Sequence, residues 1–167
     1  MDSTADTGLG TTVFNGSAIV TAVLKSAPST SAKVVASINE YYTTRDVASA
    51  FEGIPLSRAS QTLYMATGLC EMFGLDSFYA VQNASLTQST QISVTYYTTA
   101  GVQKAVDGPY TLGPGQKKSI ITCSPSNLTA MSAFTGSAII TSTAAPVAAI
   151  GRAQLSIKQP VPGQADL

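Results

Sequence analysis

Phe134-Thr135-Gly136-Ser137-Ala138-Ile139-Ile140-Thr141 decides how this chain is read, because Phe14-Asn15-Gly16-Ser17-Ala18-Ile19-Val20-Thr21 repeats it with two conservative changes. A self-similar segment is treated as a repeat first, since a repeat changes what counts as one structural unit. In both copies β-branched residues follow a glycine, then a Pro-containing break, then a second apolar run. That run is Val34-Val35-Ala36-Ser37-Ile38 in the first copy and Val147-Ala148-Ala149-Ile150 in the second. Each copy is therefore expected to be two strands. Further strand-like segments precede the second copy only, so the first reads as the tail of a module whose beginning is absent, and the chain is out of phase with its own repeat.

Working outward, the segments fall into four parts. Residues 1–10 are polar and Gly-containing and read as a flexible arm. Residues 11–61 read as an orphan β-hairpin and a connecting loop: strands over 11–24 and 33–42, a Ser/Pro turn between them, and a crossing loop over 45–60 with one helical turn around Val47 to Phe51. Residues 62–158 carry short strands at the spacing of a sandwich. Among them Gln91-Ile92-Ser93-Val94-Thr95-Tyr96-Tyr97 alternates cleanly, which puts Ile92, Val94 and Tyr96 on the buried face. Asp107-Gly108-Pro109 is expected to break the strand between Val102 and Leu112, and residues 159–167 form a tail. The fold class that follows is all-β, an immunoglobulin-like antiparallel β-sandwich with an additional N-terminal β-hairpin.

Ser77-Phe78-Tyr79-Ala80-Val81-Gln82-Asn83, Ile92-Ser93-Val94-Thr95-Tyr96-Tyr97, Gly113-Pro114-Gly115-Gln116, the Gly-Ser-Ala-Ile-Ile-Thr strand and Pro146-Val147-Ala148-Ala149-Ile150 occur in that order. The succession resembles a family of bacterial cell-surface repeat modules, in which F-x-V-Q-N, V-T-Y-Y, G-P-G and G-S-A-x-I-T elements recur in one immunoglobulin-like sandwich. The resemblance covers roughly residues 62 to 156, with the pair at 14 to 41 as a truncated extra copy. It implies an extracellular structural or adhesive setting and no particular ligand.

Composition points the same way. Of 167 residues 44% are hydrophobic, enough for a core, and only 11% are charged, so Ser, Thr, Gln and Asn supply the polar surface. The net charge of zero offers no footprint for a nucleic-acid backbone. No apolar run reaches the roughly 18 residues of a membrane span. Cys70 and Cys123 each end an apparent strand and are expected to form a disulfide in an oxidising compartment; the alternative is two buried thiols. Closing that loop would stabilise the fold by about 3–4 kcal/mol.

The chain contains no His, which removes the usual base of a Ser or Cys triad and the commonest metal ligand. Its carboxylates are scattered, Gly113-Pro114-Gly115 lacks the Lys-Ser or Lys-Thr of a phosphate loop, and the spacing of Asp46, Glu52 and Asp107 does not support a calcium site. No enzyme and no cofactor are expected. Tyr41, Tyr42, Tyr96 and Tyr97 are the candidates for stacking on a cell-surface glycan, although strand alternation would turn one of each pair into the core. Asn127, in Asn127-Leu128-Thr129, is the best-placed glycosylation acceptor. The reading that gathers these points is a structural subunit of an extracellular fibre or surface layer, a homopolymer joined by strand donation through Val13, Phe14, Ile19, Val20, Val34, Val35 and Ile38. The alternative is a monomeric adhesive or carbohydrate-binding module.

Overall fold

The computed structural model describes residues 16–42, 47–123 and 133–155. Its strands are β1 (Val23–Leu24), β2 (Ala27–Ser31), β3 (Ser37–Tyr42), β4 (Val47–Glu52), β5 (Thr62–Cys70), β6 (Leu75–Asn83), β7 (Thr90–Thr98), β8 (Gln103–Leu112), β9 (Lys117–Ile121), β10 (Phe134–Ser142) and β11 (Val147–Leu155), with a single 3-10 turn at Leu56–Arg58. Seven of them make an all-β antiparallel sandwich: a four-stranded sheet ordered β5-β10-β7-β8 faces a three-stranded sheet ordered β11-β6-β9. Layers and strand number are those of immunoglobulin-like sandwiches, whose exact topologies vary.

The alternation in β7 builds one wall of the core. Ile92, Val94 and Tyr96 expose nothing, while Gln91, Ser93, Thr95 and Tyr97 face outward, as the period of two requires. β6 answers from the opposite sheet with Tyr79 and Val81, and β10 contributes Phe134, Ala138 and Ile140. The Phe134 ring meets Tyr96 edge to face at 6.1 Å between centroids. Asn83 ends β6 inside the core and spends its amide on backbone: Nδ2 donates to the carbonyls of Gln88 at 2.7 Å and Gly113 at 3.0 Å, and Oδ1 accepts from Ser85 N at 3.0 Å. The Asn of the Val81-Gln82-Asn83 motif thus ties the loop after β6 to the turn after β8.

The glycine of the repeated stretch has a steric reason. β10 is paired on both sides, with β5 and with β7, and a Cβ at Gly136 would sit 2.0 Å from the carbonyl oxygen of Tyr97. Only a residue without a side chain lets the two backbones approach so closely.

The second copy is two strands, as expected, but not the hairpin read into the first copy, and two further expectations change. First, the two strands of the second copy do not pair with each other: β10 belongs to the four-stranded sheet and β11 to the other. The second copy is a corner that crosses between layers, not a hairpin. Second, among the described residues the N-terminal region does not join 16–24 to 33–42. Gly16 to Ala22 lie in no strand, β1 pairs with β2, and β3 pairs with β4. Val47–Glu52, expected as a helical turn in a crossing loop, is a strand whose Phe51 lies opposite Ile38. A corner sequence has no hairpin to form, and closing the short local loop to β4 costs less entropy than any distant pairing. Third, Asp107-Gly108-Pro109 does not end a strand. β8 runs through it with a cis Gly108–Pro109 bond and a register shift opposite Ile92 and Val94. An edge strand tolerates this, because the missing N–H of proline is not needed by a further neighbour.

Ile92→Ala is expected to cost about 2–5 kcal/mol in urea unfolding, and Ser93→Ala less than about 0.5 kcal/mol. Gly136→Ala is expected to cost about 1–3 kcal/mol through the clash with the Tyr97 carbonyl. Equal losses at residues 92 and 93 would contradict the burial pattern.

Candidate functional site

The candidate site is the N-terminal segment together with the edges of the sandwich. Across residues 16–39 and 50–60 no side chain is buried. Ile19 is 51% exposed, Val20 58% and Val35 90%, and Val34 and Ile38 are also exposed. Val13 and Phe14, grouped with them from sequence, lie outside the described residues. The segment is held mainly to itself, by Ala32 N donating to Ala22 O at 2.9 Å and Gly53 N to Ala36 O at 2.7 Å. Ser17 Oγ reaches the Gly115 carbonyl of the sandwich at 3.5 Å, the outer limit for a hydroxyl donor. The contrast with the second copy is direct: Ala138 and Ile140 are in the core, whereas their counterparts Ala18 and Val20 are wet.

The sandwich has four edge strands, β5 and β8 in one sheet and β11 and β9 in the other. Near its start β5 is closed against β11 by Ser60 and Val147, which exchange both backbone hydrogen bonds at 3.0 and 2.9 Å. Further along the two edges part. A cleft of about 280 Å³ opens between Met65, Ala66 and Thr67 of β5 and Gly151, Arg152 and Ala153 of β11, with Ser77 and Tyr79 also in its wall. Tyr79 OH donates to the Thr67 carbonyl at 2.6 Å, fixing β5 where its register with β10 shifts. Outside this cleft Tyr64 stands 77% exposed on the outer face of β5.

Cys70 and Cys123 form the expected disulfide, which ties the end of β5 to the residues after β9, in the other sheet. Asp76 is buried beside it. Its Oδ1 accepts from Glu71 N at 2.8 Å and lies 3.1 Å from Cys123 Sγ, and its Oδ2 has no hydrogen-bond partner. These three residues are a group that sequence reading did not bring together, because Asp76 opens β6 while the cysteines end other segments. Both cysteine sulfurs are consumed by the bridge, which leaves the carboxylate as the one available ligand.

A second polar group lies on edge strand β8, at the margin of the core, where only Asp107 of the group is fully buried. Tyr110 OH donates to Asp107 Oδ1, and Lys118 Nζ sits 4.7 Å above the Tyr110 ring. Burial, reinforced by the hydrogen bond and charge of Asp107, pushes the Tyr110 phenol up to about 12. Burial also raises Tyr79 and Tyr96 from the usual phenol value. The Tyr41 and Tyr42 side chains and Asn127 lie outside the described side chains, and Tyr96, a proposed glycan contact, is buried in the core. Among the described residues Asp107 and Glu52 do not come together in a ligand cluster. No helix there is long and apolar enough to cross a membrane.

No family model, no curated protein and no solved structure matches this chain.

Alkylation without reduction is expected to leave both cysteines unmodified in the intact mass, and reduction to lower stability by about 4 kcal/mol for a bridge closing 53 residues. Two alkylated thiols would contradict the bridge. The folded state keeps Tyr110 neutral above the ordinary value near 10, so its contribution is intact below that pH. It is lost as pH rises through about 12, where the unfolded chain ionises first. Melting temperature is therefore expected to fall across this window, and tyrosinate absorbance of the folded protein to lag behind that of the urea-unfolded chain.

Proposed function

We propose that the chain is a non-enzymatic structural subunit of an extracellular fibre or cell-surface layer, a homopolymer in which the N-terminal segment of one subunit adds strands to the next. One observation carries the reading: Ala138 and Ile140 are core where the stretch forms β10, while their counterparts Ala18 and Val20 in the first copy are exposed. The second copy shows that this sequence is competent to be a buried strand. Left as it stands, the first copy keeps Ile19, Val20, Val34, Val35 and Ile38 in water, and burying each is worth roughly 1.5–3 kcal/mol. Two-stranded ladders such as β1-β2 and β3-β4 are marginal by themselves and gain most from a further layer. A strand given to a neighbour makes a head-to-tail contact, which propagates as a filament unless a ring closes. The disulfide and the low charge suit a protein outside the cell.

Deletion of residues 1–42 tests the proposal. The shortened chain is expected to fold, with the sandwich and its disulfide intact, to sediment as a monomer, and to bind an added peptide spanning residues 11–42. An unfolded product would favour coverage of the segment by its own sandwich, and unchanged assembly would remove the donor role.

A further inference from the structure

The acceptor edge can be named from the four that the sandwich offers, on the footing of the strand-donation reading above. Three carry features that discourage pairing. β8 holds Lys104, Asp107 and Pro109; β9 is five residues long with Lys117 and Lys118; β11 carries Arg152. β5, Thr62-Leu63-Tyr64-Met65-Ala66-Thr67-Gly68-Leu69-Cys70, has neither charge nor proline over nine residues. Among the described residues its only ladder partner is β10, the strand whose sequence the exposed segment copies. The Thr67 carbonyl and Leu69 N are held by Tyr79 and Ser77 of β6, but among the described residues no side chain is bonded to the backbone of Leu63 to Met65 on the other edge.

We propose that the free edge of β5 receives residues 16–21 of a second copy of this chain. The side-chain pairing is the one β10 already makes on the other side of β5: Ala138 opposite Met65, Ile139 opposite Tyr64 and Ile140 opposite Leu63. In the same antiparallel register, Ala18 lies opposite Met65, Ile19 opposite Tyr64 and Val20 opposite Leu63. Residues opposite each other share a face of the sheet, so the parity is correct. Ala18 and Val20 then point inward, Ala18 beside Met65 at the mouth of the cleft between β5 and β11 and Val20 beside Leu63, which packs against the core. Ile19 points outward against the Tyr64 ring, which would be flanked by an isoleucine on either side. The addition gives β5 a backbone partner on each edge, the arrangement β10 has now.

Cysteine cross-linking between exposed positions tests the edge without touching the core. A chain carrying both Ile19→Cys and Tyr64→Cys is expected, on mild oxidation, to yield a ladder of covalent oligomers. It should form roughly tenfold faster than with Ile19→Cys and Lys104→Cys, which places the acceptor thiol on β8, because pairing raises the local thiol concentration. A ladder that forms equally fast through residue 104 overturns the choice of β5. A bridge between residues 19 and 64 that stays within one chain at every dilution overturns the second copy as the occupant. If the unmodified protein assembles, loses assembly on deletion of residues 1–42, and yet residues 19 and 64 do not link, the β5 edge alone is wrong. If the unmodified protein is monomeric at every concentration, donation itself fails.

Discussion

β10 is the element on which the rest depends, because it is bonded along both edges and buried on its inner face. Gly136 lets it approach Tyr97, Ala138 and Ile140 fill the space under β6, and Phe134 braces Tyr96. A strand with these properties stabilises a sandwich only when two neighbours and a facing sheet are all present. Their described counterparts at the N-terminus, Gly16, Ala18 and Val20, lie in no strand and carry the requirement without the means of meeting it. From this imbalance comes the account of the protein as a subunit and not a self-sufficient domain.

The layered core and its covalent tie divide the work of holding β10 in place. Hydrophobic burial through Tyr79, Val81, Ile92 and Val94 supplies the non-directional attraction between the sheets. Asn83 and the Cys70–Cys123 bridge supply direction, the first by pinning two loops to one amide and the second by joining the end of a strand in one sheet to the chain leaving a strand in the other. Asp76, buried against the bridge, is tolerated because Glu71 N satisfies one of its oxygens.

Much of the sandwich was legible in the sequence where the physics is local. Alternation in Gln91–Tyr97 identified the inward side chains because a strand repeats every two residues, and the cysteines were recognisable as partners from their places near strand ends. Pairing was not legible, because it depends on which layer each strand joins. The two runs of the first copy look like a hairpin in sequence, and their counterparts in the second copy separate into different sheets in space. Gly53 and Pro55 disguised the strand at Val47–Glu52, and Pro109 disguised the continuity of β8, since punctuation that breaks a central strand is harmless at an edge. As for the candidate site, sequence picked out Ile19, Val20, Val34, Val35 and Ile38 as residues in need of cover. It held no signal for the free β5 edge or for the cleft beside β11.

Amide hydrogen exchange across residues 16–42, followed from dilute to concentrated protein, tests the central claim most directly. The account predicts rapid exchange of residues 16–24 in dilute solution and protection that grows with concentration, while the amides of β7 and β10 stay protected throughout. Protection of residues 16–24 that is already complete in the dilute monomer, or that never develops at any concentration, would contradict it.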